Sequence, residues 1–125
     1  MNPIKRPLSV TLLAGLYLLV GTVGFVYHLG EILGRHKFGY GDFLVELTEF
    51  VAIVCGVFLL RGQNWARWLA LAWMAFHVIL SAFGAFREFA IHAVICALIA
   101  GILFQNAATQ YFRGAPIAPP PDATS

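Results

Sequence analysis

LSVTLLAGLYLLVGTVGFVY, residues 8–27, runs for twenty residues without a charged side chain. A bilayer's hydrocarbon core is roughly 30 Å thick and a helix rises about 1.5 Å per residue, so about twenty apolar residues suffice to cross it. The stretch therefore reads as a membrane-spanning helix. It lacks the alternation of a membrane barrel strand, and in lipid only helices or closed barrels satisfy the backbone. MNPIKRP before it looks like the charged start of a signal peptide, but the apolar run continues to Tyr27 with no small-x-small cleavage site. An uncleaved first helix is expected.

Working outward, three further apolar runs follow, and the predicted spans are about 8–27, 43–60, 67–86 and 89–106. The composition agrees: 60% of residues are hydrophobic, 11% are charged and the mean hydropathy is +0.80, far from the balance of a soluble domain. Four spans nearly exhaust 125 residues, which leaves no space for a separate soluble enzyme domain. Residues 1–113 form one transmembrane domain. The stretch QNAATQYF is expected to continue the fourth helix into the interface until Gly114, and the Pro-rich tail, 114–125, is expected to be disordered.

Lys5, Arg6, Arg61, Arg67 and Arg113 fall on one side, against Arg35, Lys37 and Arg87 on the other. The first side holds the opening KR and the short RGQNWAR loop, where positive charge orients best, so both termini are placed in the cytoplasm. The expected fold is all-α: an integral membrane four-helix bundle running up-down-up-down. Trp65, Trp68 and Trp73 read as an aromatic anchor at the inner interface. Cys55 and Cys96 lie inside spans without metal-type spacing and read as small core residues.

The second span raises a difficulty, because GDFLVELTEFVAIVCG (41–56) carries Glu46 and Glu49. Twelve Leu, Ile, Phe and Val between positions 43 and 60 supply about −4 to −7 kcal/mol of insertion energy. Each charged residue at the bilayer centre costs about 2.5–3.5 kcal/mol. Two would cancel most of the gain, so depth and partners matter. Glu46 and Glu49 fall about 5 and 9 Å below the outer start of the span. His28, His77 and His92 collect in the same outer half. Residues spaced by alternating threes and fours share a helix face. The stripes Ala14, Tyr17, Gly21, Gly24, His28 and Ala70, Met74, His77, Ser81, Gly84 are lined with small residues; on the second helix Glu46 and Glu49 continue to Ile53 and Gly56, and the fourth places Ala93, Ala97 and Ala100 beside His92. Such faces turn toward other helices.

Glu46, Glu49, His77, His92 and His28 are therefore the candidate ligand, ion or proton site. One reading is structural, with Glu49 bonded to a histidine and fixing helix register. The other is functional, since intramembrane ionisable groups mark sites. Imidazole and carboxylate suit a metal ion, with Glu49, His77 and His92 as candidate ligands, although no single helix carries an HxxxH or ExxH pair. Haem is disfavoured, because His77 falls about 13 Å and His92 about 6 Å from an outer turn placed at Arg87–Glu88. A proton relay is easier to accommodate. His36 reads as a solvated loop histidine. No GxGxxG, GxxxxGK or GxSxG occurs, so no catalytic residue is assigned, and a net charge of +2 gives no case for nucleic-acid binding.

KRPLSVTLLAGLYLLVG and RGQNWARWLAL resemble segments of small four-span bacterial membrane proteins, and the layout is loosely similar to DoxX-like proteins. The resemblance implies a bacterial inner-membrane location and a four-helix bundle, and carries no functional residue across. Two function classes are expected: a non-catalytic accessory or small-ligand or ion-binding component, embedded in lipid beside a membrane partner or a second copy of itself; or a proton- or metal-linked carrier or redox-type protein using the outer Glu and His cluster.

Overall fold

The computed structural model describes residues 4–35 and 37–114; the expectations for His36 and for the tail from residue 115 lie outside them. The described residues are all-helical, in the order α1 (Leu8–Arg35), α2 (Tyr40–Leu60), α3 (Asn64–Ala82), α4 (Phe86–Phe104) and α5 (Asn106–Arg113). Four of these helices, α1 to α4, are long and apolar enough to cross a membrane. α1 packs on α2, α2 on α3, α3 on α4, and α4 returns to α1. Neighbours run antiparallel. Arg6, before α1, donates to Leu60 O at the end of α2 at 2.9 Å, and Gln105, after α4, donates to Ser9 Oγ near the start of α1 at 2.7 Å.

Burial follows the stripes predicted for α1 and α3 in part: Gly24, His28 and His77 are half-buried, and Gly84 is exposed beyond the end of α3. Val10, Ala14, Tyr17 and Gly21 face inward on α1, and Ala66, Ala70, Met74 and Ser81 on α3. Outside, α1 presents Leu8, Leu12, Leu16, Leu19, Val23 and Val26, a surface suited to acyl chains. α4 departs from expectation: its buried residues are Ile99 and Leu103. Ala93, Ala97 and Ala100 line an open groove with α3 instead.

The ends are closed by local chemistry. Asp42 at the start of α2 accepts from Gly39 N–H at 2.9 Å and from Arg35 Nη2 at 3.1 Å, tying the α1–α2 connection. At the other end of α2, Gly62 is left-handed (φ 72°), and the N–H groups of Gly62 and Gln63 bond Leu59 O and Phe58 O. These paired bonds satisfy the last carbonyls and turn the chain into α3.

Two boundaries differ from expectation. α4 begins at Phe86 with Ala85 as its cap, so Arg87 and Glu88 lie in the first helical turn and Phe83 to Ala85 make the connection. Glu88 there faces the positive end of the helix dipole. The fourth helix also does not run on through QNAATQYF. The backbone is extended at Gln105 (ψ 157°) and α5 restarts beyond it. Ala108 and Phe112, four residues apart, bury one face of α5 against the bundle, and Tyr111 donates to Leu60 O at 2.8 Å. Arg67 lies beneath, 1% exposed, with Phe104, Phe112 and Trp68 within 4.6–6.0 Å of its guanidinium and Thr109 Oγ1 3.3 Å from Nη1. The amphipathic segment turns across the bundle end because one apolar face is too little for another spanning turn and enough to cover Arg67.

Tyr17 joins α1 to α3 by donating to Ala70 O at 2.7 Å from a buried position. Tyr17→Phe removes that bond and leaves the packing. The expected cost is about 0.5–1.5 kcal/mol, read as a lower unfolding free energy in mixed detergent micelles with unchanged helicity.

Candidate functional site

Four of the five candidate residues form two contact groups. In the first, between α1 and α2, His28 Nδ1 stands 3.9 Å from Glu49 Oε1, with side chains 36% and 17% exposed. Glu49 reaches α1 because position 24 is glycine: a Cβ there would stand 2.6 Å from Oε1. Glu46 lies one turn earlier on α2. Both its carboxylate oxygens, together with Glu49 Oε2 and His28 Nδ1, are buried atoms without a hydrogen-bond partner. These are costly groups to leave unsatisfied in an apolar setting.

The second group joins α3 to α4. His77 and His92 have ring centroids 6.4 Å apart and ring planes within 28° of each other. The predicted mismatch in their depths is corrected by the position of the connection. His77 lies five residues before the end of α3 at Ala82 and His92 six residues after the start of α4 at Phe86, so at about 1.5 Å per residue both lie about 8–9 Å from the helix ends. The depth argument against paired axial ligands therefore falls away.

Each of these imidazoles is held by its own helix. His77 Nδ1 is 2.8 Å from Trp73 O, and His92 Nδ1 is 2.8 Å from Glu88 O. A carbonyl oxygen only accepts, so Nδ1 carries the proton in both rings. In the neutral imidazole Nε2 is then left with a free lone pair. Sequence spacing carries no signal of this, because every residue within a helix has a backbone carbonyl four positions before it.

Both rings line a cavity of about 380 Å³ among α1, α3 and α4, completed by Leu16, Tyr17, Val20, Trp73, Met74, Ile95 and Ile99. Leu16, Val20 and Ile95 are exposed, so the cavity opens through the side of the bundle, between α1 and α4. Trp73 is the residue that sequence reasoning misplaced. It is not an interfacial anchor but an internal wall, nine residues into α3, with its Nε1–H donating to Thr48 O at 2.8 Å. Its ring packs on Tyr17 at 5.3 Å and on His77 at 4.1 Å. Trp65 and Trp68, nearer the start of α3, are exposed.

No hydrogen bond or ion pair joins the two groups among the described residues. Nor, among those residues, do three or more His, Cys, Asp or Glu side chains gather closely enough to hold a metal ion. Glu49, His77 and His92 therefore do not assemble into one ligand set. Cys55 is buried and free, and Cys96, also free, lines the opposite α3–α4 groove.

No protein-family model, curated protein or solved structure matches the chain.

Proposed function

We propose that this is a small multi-pass inner-membrane protein, not itself catalytic, that binds a small membrane-soluble ligand in the lateral cavity between α1, α3 and α4. The observation carrying this reading is the pair of imidazoles with Nδ1 engaged and Nε2 free on the wall of an otherwise apolar cavity. Ligand sites combine a mostly apolar lining with a few convergent polar groups, and between bundle helices is a usual place for them. A lateral mouth suits a ligand that arrives through lipid. The end bearing Arg6, Arg61, Arg67 and Arg113 belongs in the cytoplasm by the positive-inside rule, which puts the cavity toward the outer leaflet. The resemblance of KRPLSVTLLAGLYLLVG and RGQNWARWLAL to segments of small four-span bacterial membrane proteins supports a bacterial inner membrane.

The test is native mass spectrometry on protein released directly from membranes. The wild-type chain should carry a bound small molecule, and Val20→Trp, which fills the mouth, should lose it while keeping its helicity. A wild-type chain with no adduct, or one retained in Val20→Trp, would overturn the reading.

The unpartnered atoms of Glu46, Glu49 and His28 support a second reading, a proton-linked carrier, in which a proton passes between Glu49 and His28 when the 3.9 Å between them closes to hydrogen-bond distance. Under it, Glu49→Gln abolishes proton-coupled uptake into vesicles while ligand retention in the cavity persists.

A further inference from the structure

We infer that His77 and His92, with Met74, form a low-coordinate site for a soft monovalent metal ion of the copper(I) class. The inference rests on the cavity being a binding site and names what occupies its polar wall.

The donors dictate the class. Two imidazole nitrogens are available, each a lone pair fixed by a helix carbonyl behind it, the arrangement by which second-shell bonds orient metal-binding histidines. A thioether comes from Met74, which lines the same cavity three residues before His77 on one face of α3. Thioether and imidazole together select copper(I) over hard ions, which take oxygen ligands. Zinc is disfavoured because a tetrahedral site needs more ligands than gather here. The carboxylate nearest in kind, Glu49, contacts His28 from α2 instead. All three donors are neutral, and a single positive charge is far less costly to enclose in an apolar wall than a double one.

The dimensions agree. A metal–nitrogen bond of about 2.0 Å on each side, added to the half-width of each ring, separates two opposed imidazole centroids by about 6 Å. The observed centroid separation is 6.4 Å, a spacing that admits one ion between the two rings. Trp73, whose ring centroid lies 4.1 Å from that of His77, and Tyr17 line the same cavity.

The full chain with Cys55→Ala and Cys96→Ala removes the two thiols that would bind silver on their own account. Equilibrium dialysis of this protein in detergent against silver(I) nitrate, without chloride, should find one silver per chain and no retained zinc(II). His92→Leu should weaken silver binding by more than about 100-fold, since even outer-shell changes cost roughly 10–100-fold. His92→Met, which restores a soft donor, should recover it, and Glu31→Gln, at an exposed position outside both groups, should leave it unchanged. Far-UV circular dichroism on every variant separates ligand loss from unfolding. Absence of silver from the thiol-free chain, or undiminished binding in folded His92→Leu, overturns the inference. If Val20→Trp still displaces a small-molecule adduct while silver does not bind, the cavity reading stands and the metal assignment fails. Loss of both observations rejects both.

Discussion

Gly21→Leu should prevent α1 and α2 from docking and leave a chain that is helical but without a fixed bundle. A Cβ at position 21 would stand 2.8 Å from Ile53 N and 2.9 Å from Glu49 O. These obstacles are the backbone of α2, which cannot swing aside as a side-chain tip can. The contact is reciprocal. A Cβ at Gly56 on α2 would lie 2.9 Å from Ala14 O on α1, so the two helices approach backbone to backbone at two levels. Small residues at such crossings let dispersion contacts form where lipid supplies no hydrophobic drive between helices. Overpacking commonly costs about 1–3 kcal/mol, and Gly21→Ala is expected at the upper end of that range. Leucine needs far more room and should exceed the stability of the pair. Gly15, Gly30 and Gly101 provide the contrast, because a Cβ at each meets nothing within 4 Å. Alanine there should be neutral or should stabilise by up to about 1 kcal/mol through helix propensity. Unfolding in mixed micelles, followed by tryptophan fluorescence, reads both sets. Equal stability of Gly21→Leu and Gly15→Ala would show that α1 and α2 do not pack at Gly21.

The contrast between those glycines shows which parts of this structure were legible beforehand. Spacing along α1 placed Ala14, Tyr17, Gly21, Gly24 and His28 on one face, and the structure buries or half-buries all five. What spacing could not supply was the neighbour each face meets. Glu49 and His77 both turn inward, but Glu49 contacts α1 at Gly24 and His28 while His77 contacts α4 at His92. The expected single cluster thus falls on two interfaces. Depth misled for a separate reason. Arg87 and Glu88 resemble a solvated turn, yet two charges also suit the first turn of a helix emerging from a membrane, and that shift of three residues brings His92 level with His77. Trp73 misled by composition. Two neighbouring tryptophans are exposed near the start of α3, but the third lies two turns deeper, where its N–H finds Thr48 O. α5 was hidden because its apolar face, Ala108 and Phe112, is short and the break at Gln105 uses no Gly or Pro.

Glu46→Leu should make the protein more stable, an unusual direction for a substitution at a half-buried position. Both oxygens of Glu46 are buried and without a hydrogen-bond partner. The residue lies six positions after the start of α2 at Tyr40, about 9 Å along the helix, so its burden is smaller than the roughly 2.5–3.5 kcal/mol of a charge at the bilayer centre. A gain of about 1–3 kcal/mol is expected on replacement, combining relief of desolvation with the favourable insertion of leucine. Glu49→Leu should gain less, because it also removes the partner of His28 at 3.9 Å and leaves that imidazole alone. The ordering separates the two roles first considered for these acids. If Glu46 serves the fold, its removal lowers stability with the loss of a single folded form. If stability rises and the bundle stays uniquely folded, the carboxylate is held at a cost that packing does not recover, and the proton-linked reading gains a residue whose presence serves something other than the fold. Unfolding free energies of the wild type, Glu46→Leu and Glu49→Leu in one micelle system decide it, and a destabilised Glu46→Leu would return this acid to a purely architectural part.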